Sequence, residues 1–201
     1  MSKRVRCATC LKALSACICS TIKKLDNQYF LHILQDPSEE KKAIGTAKIL
    51  SLSLMRVKIS TAHYFKEQDF DLHNCFLIFP GENTISAQKL SLEYKLDKNS
   101  QFILLDGSWK KAYKLLMNKP FLQKLPRVSF SVTQKSTYRI RKSPREDGLS
   151  SVEAGYYLLS QLEQEETKYP PLLDSFNAMI NYQIQKMPPS LYAKHYLREE
   201  E

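Results

Sequence analysis

No stretch of this sequence is apolar for long enough to cross a bilayer. The longest run, Cys75-Phe76-Leu77-Ile78-Phe79, has five residues, where a spanning helix needs about 20. A secretory signal is also lacking. The first residues are basic and rich in cysteine, with no apolar stretch among them, and the expected location is the cytoplasm. There is no Walker loop and no G-x-G-x-x-G, so nucleotide hydrolysis and dinucleotide oxidoreduction have no local support. His32, His63, His73 and His195 fall at no metal-ligand spacing and form no nucleophile–base pair, and they read as structural or surface residues. Internal repeats and low-complexity linkers are missing too.

What is present is a basic chain able to build a core. Its 201 residues are 43% hydrophobic, which suits one domain with at most a small appendage and excludes disorder over most of the length. Thirty Lys and Arg oppose 21 Asp and Glu, for a formal net charge of +9. Acidic residues gather at Glu163 to Glu166 and at Glu199 to Glu201, so the remainder is more basic still. An excess of that size points to a polyanionic partner, nucleic acid before an anionic membrane surface; the bland alternative is a charge that serves solubility.

Four of the five cysteines, Cys7, Cys10, Cys17 and Cys19, form a C-x2-C-x6-C-x-C cluster. In a reducing compartment such a cluster reads as a metal site rather than a disulfide framework. Four thiolates complete tetrahedral zinc and leave no position open for water, which is the structural pattern. Two disulfides or an iron–sulfur cluster are the alternatives. Cys75 stands alone in an apolar run and reads as a core residue.

Beyond the cysteines, short apolar runs alternate with helical patterns. Strands are expected at 29–34, 57–64, 75–79, 102–105 and 128–132. Helices are expected at 39–54, 85–94, 108–117, from the capping box Ser150-Ser151-Val152-Glu153 to about Glu166, and after Pro170-Pro171. Doubly apolar strands alternating with helices predict an α/β fold, a mostly parallel sheet with helices on both faces. Three strands end in turn signals, at Asp36-Pro37, Pro80-Gly81 and Asp106-Gly107. Open α/β sheets bind ligands outside such ends, and the chemistry is expected there.

Two segments carry the candidate residues. In Leu105-Asp106-Gly107-Ser108-Trp109 an aspartate closes a buried strand, the glycine permits a sharp turn or a close approach, and the serine is placed to cap a helix. An aspartate that only caps and a tryptophan that only packs are the plain alternative. The second segment, 135–145, holds five cations, Lys135, Arg139, Arg141, Lys142 and Arg145, with one aromatic, Tyr138. Cations neutralise phosphates and an aromatic ring can stack on an unpaired base. A solvated charged loop is the alternative. Arg139 and Arg141 share one side of an extended segment and could grip a phosphate or a carboxylate.

These marks together resemble the DTW-domain family. Leu105-Asp106-Gly107-Ser108-Trp109 is similar to its signature, with Ser108 in place of the usual threonine. Ile44-Gly45-Thr46-Ala47-Lys48-Ile49-Leu50 resembles its Asn-Thr-Gly-Arg-Leu segment, and Phe79-Pro80-Gly81 its strand-end Pro-Gly. Ser136-Thr137-Tyr138-Arg139-Ile140-Arg141 and Gly148-Leu149-Ser150-Ser151-Val152-Glu153-Ala154 follow in the family's order, after a preceding cysteine cluster. Two places depart. Gln35-Asp36-Pro37-Ser38-Glu39 stands where many members have His-Pro-x-Glu, and Lys48 replaces an arginine, which a lysine cannot match in bidentate contacts.

The resemblance implies a tRNA-uridine aminocarboxypropyltransferase, a distant relative of the knotted SPOUT methyltransferases. Its donor would be S-adenosylmethionine, whose 3-amino-3-carboxypropyl group goes to N3 of a uridine in tRNA with release of methylthioadenosine. Residues 1–25 would be a zinc-binding knob and 26–201 the catalytic domain. Pro80, Gly81, Leu105, Gly107, Ser108, Trp109, Leu149, Ser151 and Glu153 would hold the donor, and Lys135, Tyr138, Arg139, Arg141, Lys142 and Arg145 the RNA. Asp106 would take the N3 proton or, alternatively, hold the donor's amino group. For Ser150 and Glu153 the capping box is a sufficient explanation without any ligand. No membrane and no obligate protein partner is expected. The competing functions are a SPOUT-type RNA methyltransferase and a non-catalytic, zinc-containing RNA-binding module.

Overall fold

Six short strands form one parallel sheet in the order β2-β1-β5-β3-β6-β4. They are β1 (Phe30–Gln35), β2 (Val57–Thr61), β3 (Cys75–Ile78), β4 (Ile85–Ser86), β5 (Gln101–Asp106) and β6 (Arg127–Ser129). The chain is described here from a computed structural model, which covers residues 5–40, 42, 45–133 and 148–188. The candidate RNA residues Lys135, Tyr138, Arg139, Arg141, Lys142 and Arg145 lie outside the described residues. Among the described residues no helix is long and apolar enough to cross a membrane.

The doubly apolar strands do what their composition predicts. Successive residues of β1 and β5 enter opposite cores: Leu31, Ile33, Phe102 and Leu104 on one face, Leu34, Ile103 and Leu105 on the other. The first core is closed by α1 (Ala47–Ser53), α2 (Ala87–Glu93), α5 (Ser151–Glu163) and α6 (Pro170–Gln185). The second is closed by α3 (Trp109–Asn118) and α4 (Pro120–Lys124). Cys75 is buried in the second core, and burial pushes its thiol up to about 11, which fits a packing role.

Several boundaries differ from expectation. Among the described residues, the helix expected over 39–54 forms only at Ala47–Ser53. Before it, Asp36 caps a 3-10 turn at Pro37–Glu39 by accepting from the Ser38 N–H at 3.0 Å. The chain then advances through i→i+3 bonds, Lys42 N–H to Glu39 O and Gly45 N–H to Lys42 O, which compete with the helical i→i+4 ladder. The strand expected at 57–64 pairs only to Thr61 and closes in a 3-10 turn, and the one at 128–132 pairs only over Arg127–Ser129. The helix expected from residue 85 starts at Ala87, because Ile85 and Ser86 pair with β6 and Ser86 then caps at Lys89 N–H. Helix α4 was not expected; Pro120 begins it at a position where a missing N–H costs nothing.

The cysteine segment is joined to this body. Cys10 and Ile18 belong to the first core, and Ser175 Oγ of α6 donates to Thr21 O at 2.7 Å.

His32, on β1, is buried against Phe65 and Phe70 and hydrogen-bonded to Ser60 Oγ at 2.8 Å. Burial first, then the Lys58 charge, lowers its pKa to about 4. A depressed histidine favours the unfolded chain once that chain takes up protons. This part of the stability is therefore complete above the unfolded value near 6.5 and is lost as pH falls toward 4. The loss is up to about 3 kcal/mol. Denaturant midpoints measured between those two pH values should show a shallower pH dependence for His32→Gln than for the parent chain. Parallel curves would refute this assignment.

Candidate active site

The C-terminal ends of β3, β5 and β6 open on a cleft of about 460 Å³, within the range that holds small-molecule ligands. Its floor is apolar, built from Ile78, Leu104 and Val128. Phe79 and Trp109 stand on one side, ring centroids 6.0 Å apart and edge to face. Phe130 stands elsewhere on the wall, stacked on Tyr157 at 6.1 Å. The segment from Gly148 to Ser151, which leads into α5, closes the cleft with Ala154. Lys110 is its one charged lining residue among the described residues.

Of the residues the sequence pointed to, Pro80, Leu105, Gly107, Ser108, Trp109, Leu149 and Ser151 line this cleft, whereas Gly81, Asp106 and Glu153 are not part of its wall. Glu153 closes the capping box, taking the Ser150 N–H at 2.8 Å and the Ser150 hydroxyl at 2.7 Å on one carboxylate oxygen. Gly107 has no positive φ, so conformational freedom is not why it is a glycine. A Cβ there would stand 3.0 Å from Lys111 Cβ and 3.6 Å from Asp36 Cβ; the glycine lets α3 start against the end of β1.

Asp106 ends β5 with its side chain toward α5. Gln35, its register partner on β1, donates from Nε2 to Oδ2 at 2.7 Å. Ser151 Oγ donates to Oδ1. Gln35 and Asp106 are buried and Ser151 is half-buried, and the bonds tie the ends of two strands to the first turn of a helix. Gln35 is the residue that sequence reasoning missed: it sits at a strand end, but its partner lies 71 positions away. A second anchor lies outside the cleft, where Lys111 of α3 meets Glu39 at 2.8 Å and fixes the turn at 37–39.

The four cysteines converge. Cys7 and Cys19 sulfurs are 3.6 Å apart, Cys10 and Cys17 sulfurs 3.7 Å, and all four lie within 4.8 Å of one another. A tetrahedral ion with bonds of about 2.3 Å places its sulfurs about 3.8 Å apart, so the cluster has the size of a single-ion site. A disulfide needs about 2.05 Å, and all four thiols are free. The backbone N–H groups of Cys10 and then Thr9 lower Cys7 to about 6, which favours the thiolate. Burial, then the neighbouring thiols, pushes Cys19 up to about 12, a crowding that a central cation would relieve. These residues fit a structural metal.

The parallel sheet with helices on both faces makes this an α/β protein, and its cleft, apolar within and edged by hydroxyls, lies at the C-terminal rim where such folds bind ligands. The DTW domain profile matches residues 4–184, and the chain belongs to that family. It is 27% identical over 208 residues to a mouse protein named tRNA-uridine aminocarboxypropyltransferase 2, covering 97% of this chain and 69% of the relative. The proteins of that name from Macaca fascicularis and Drosophila melanogaster are 25% and 24% identical, with 91% and 98% of this chain and 65% and 82% of theirs aligned. No solved structure gives a significant match.

Proposed function

We propose that this chain transfers the 3-amino-3-carboxypropyl group of S-adenosylmethionine to N3 of a uridine in tRNA, releasing methylthioadenosine. The observation that carries the reading is the coincidence of the family's signature with the cleft: Leu105, Gly107, Ser108 and Trp109 from one motif, and Leu149 and Ser151 from another, meet at the same rim. The names of the relatives support the reaction class. The cleft fits the donor chemically. Its apolar floor suits a purine, and the aromatic rings suit a sulfonium, which is attracted to π-faces.

The donor, once bound, supplies a carbon made electrophilic by the positive sulfur. The chain's part is to hold that carbon about 3 to 3.5 Å from N3, in line with the breaking bond. The N3–H proton must leave as N3 attacks, and Asp106 is its acceptor in this reading. The same reading includes the SPOUT relationship and its knotted path, supported by a late strand, β5, lying between the earlier β1 and β3. Zinc is the ion we assign to Cys7, Cys10, Cys17 and Cys19, because four thiolates suit it and complete its coordination.

For tRNA, the charge of +9 supplies a sequence-independent attraction. Lys110 at the cleft mouth is followed on the exposed side of α3 by Tyr113 and Lys114, cations and an aromatic suited to a splayed strand. Lys135, Tyr138, Arg139, Arg141, Lys142 and Arg145 are the further RNA contacts we propose, on their sequence alone. Alanine at Arg139, Arg141, Lys142 and Arg145, or at Lys110 and Lys114, should weaken tRNA binding and flatten its salt dependence. The expected change is about one log–log unit per lost phosphate contact. An unchanged slope would remove that group from the interface.

The deciding experiment is incubation with S-adenosylmethionine and unmodified tRNA, followed by mass analysis of nucleosides and by-product. Aminocarboxypropyl-uridine with methylthioadenosine supports the reading. A methylated base overturns it in favour of methyl transfer, and binding without any product in favour of an RNA-binding module.

A further inference from the structure

Asp106 is not in the cleft wall, but Ser151 is. The directions of the bonds between them are fixed by chemistry. An amide nitrogen has only protons to offer, so Oδ2 of Asp106 accepts from Gln35. A hydroxyl has one proton, and that of Ser151 is directed to Oδ1 of Asp106. What Ser151 can present to the cleft is therefore lone pairs, an acceptor aimed at a ligand's N–H. Its position is rigid, because it is the first residue of α5 and the capping box of Ser150 and Glu153 fixes the backbone on either side.

We infer that Ser151, which the family resemblance would give to the donor, is instead the group that touches the uridine, relaying the N3 proton to Asp106, with Gln35 as a positioning residue that holds the carboxylate for it. This rests on the transfer reaction proposed above. As the N3 lone pair forms the new N–C bond, the N3 proton moves to Ser151 Oγ and the hydroxyl's own proton moves to Asp106 Oδ1. The C–S bond breaks and its electron pair stays on sulfur, turning the sulfonium into a neutral thioether. The carboxylate's negative charge and the sulfonium's positive charge disappear together. Asp106 then returns the proton to water through the same hydroxyl as products leave.

The arrangement explains why a carboxylate needed for chemistry is buried (6% exposed) while a serine stands at the surface of the cleft. A carboxylate that served only to pin α5 to the sheet would bond in the same way but would leave turnover insensitive to the hydroxyl. The test uses the full chain with S-adenosylmethionine and tRNA, comparing the parent with Ser151→Ala and Ser151→Thr. Alanine is a good helix former and leaves the Ser150 cap in place, so the fold is expected to persist, as circular dichroism will show. Donor affinity is read separately from the fluorescence of Trp109, the sole tryptophan, which lines the cleft.

For Ser151→Ala we expect turnover to fall about 10²-fold at neutral pH, the usual range for losing a proton-transfer group. Donor affinity should stay within about twofold. The deficit should shrink as pH rises, because an N3 that has already lost its proton needs no relay, and Ser151→Thr should recover most of the rate. A variant with parental turnover, a deficit equal at every pH, or a loss confined to donor affinity would each overturn the relay. A parent chain that makes no aminocarboxypropyl-uridine would instead overturn the reaction itself.

Discussion

Asp106→Asn is expected to lower turnover by about 10²-fold or more while leaving both substrates bound. The substitution separates charge from shape. Asparagine can still accept from Ser151 on its oxygen, and its amide can donate to Gln35 once the Gln35 amide turns over, so both contacts survive. What disappears is the negative charge and with it the proton acceptor. Turnover under saturating tRNA, together with donor affinity from Trp109 fluorescence, distinguishes the outcomes. A loss in turnover alone supports the acceptor role, and a loss in donor affinity would assign the carboxylate to the donor's amino group instead. Near-normal values of both would reduce Asp106 to a clasp between strand and helix.

Removing the metal should be as damaging, through stability. Freshly purified protein in reducing buffer should hold one zinc per chain, and Cys10→Ser or a strong chelator should release it. Metal binding supplies folding free energy to such sites. Here the loss would reach beyond the cluster, because Cys10 and Ile18 are packed in the main core and Thr21 bonds to α6. A cost of several kcal/mol corresponds to a fall in Tm of about 10 °C for a chain of this size. Calorimetry of loaded and stripped protein measures it. Absence of metal in the fresh protein, or two disulfides under reducing conditions, would refute the site.

Strands β1, β3 and β5 were readable because they are buried on both faces, which writes itself into a sequence as short continuous apolar runs such as Phe102-Ile103-Leu104-Leu105. The cleft was readable for the same reason, since parallel strands deliver their ends to one rim. The order of the strands was not, because pairing joins residues as distant as Gln35 and Asp106 and leaves no local mark. The start of the helix expected from Glu39 was misplaced because turn bonds and helix bonds suit the same composition, and Asp36 favoured the turn at Pro37–Glu39 through its own side chain. The capping box needed no such help: Ser150 and Glu153 are three residues apart and satisfy each other.

The bond from Ser175 to Thr21 spans 154 positions of the chain. During synthesis the cysteine loop is made before α6 and could close around a metal ion on its own, since all four cysteines lie within thirteen residues. The helix against which it rests is made long afterwards. A nascent chain that had bound a metal there would carry a closed loop with an exposed apolar underside until α6 arrives, and completion of the first core waits for that late helix.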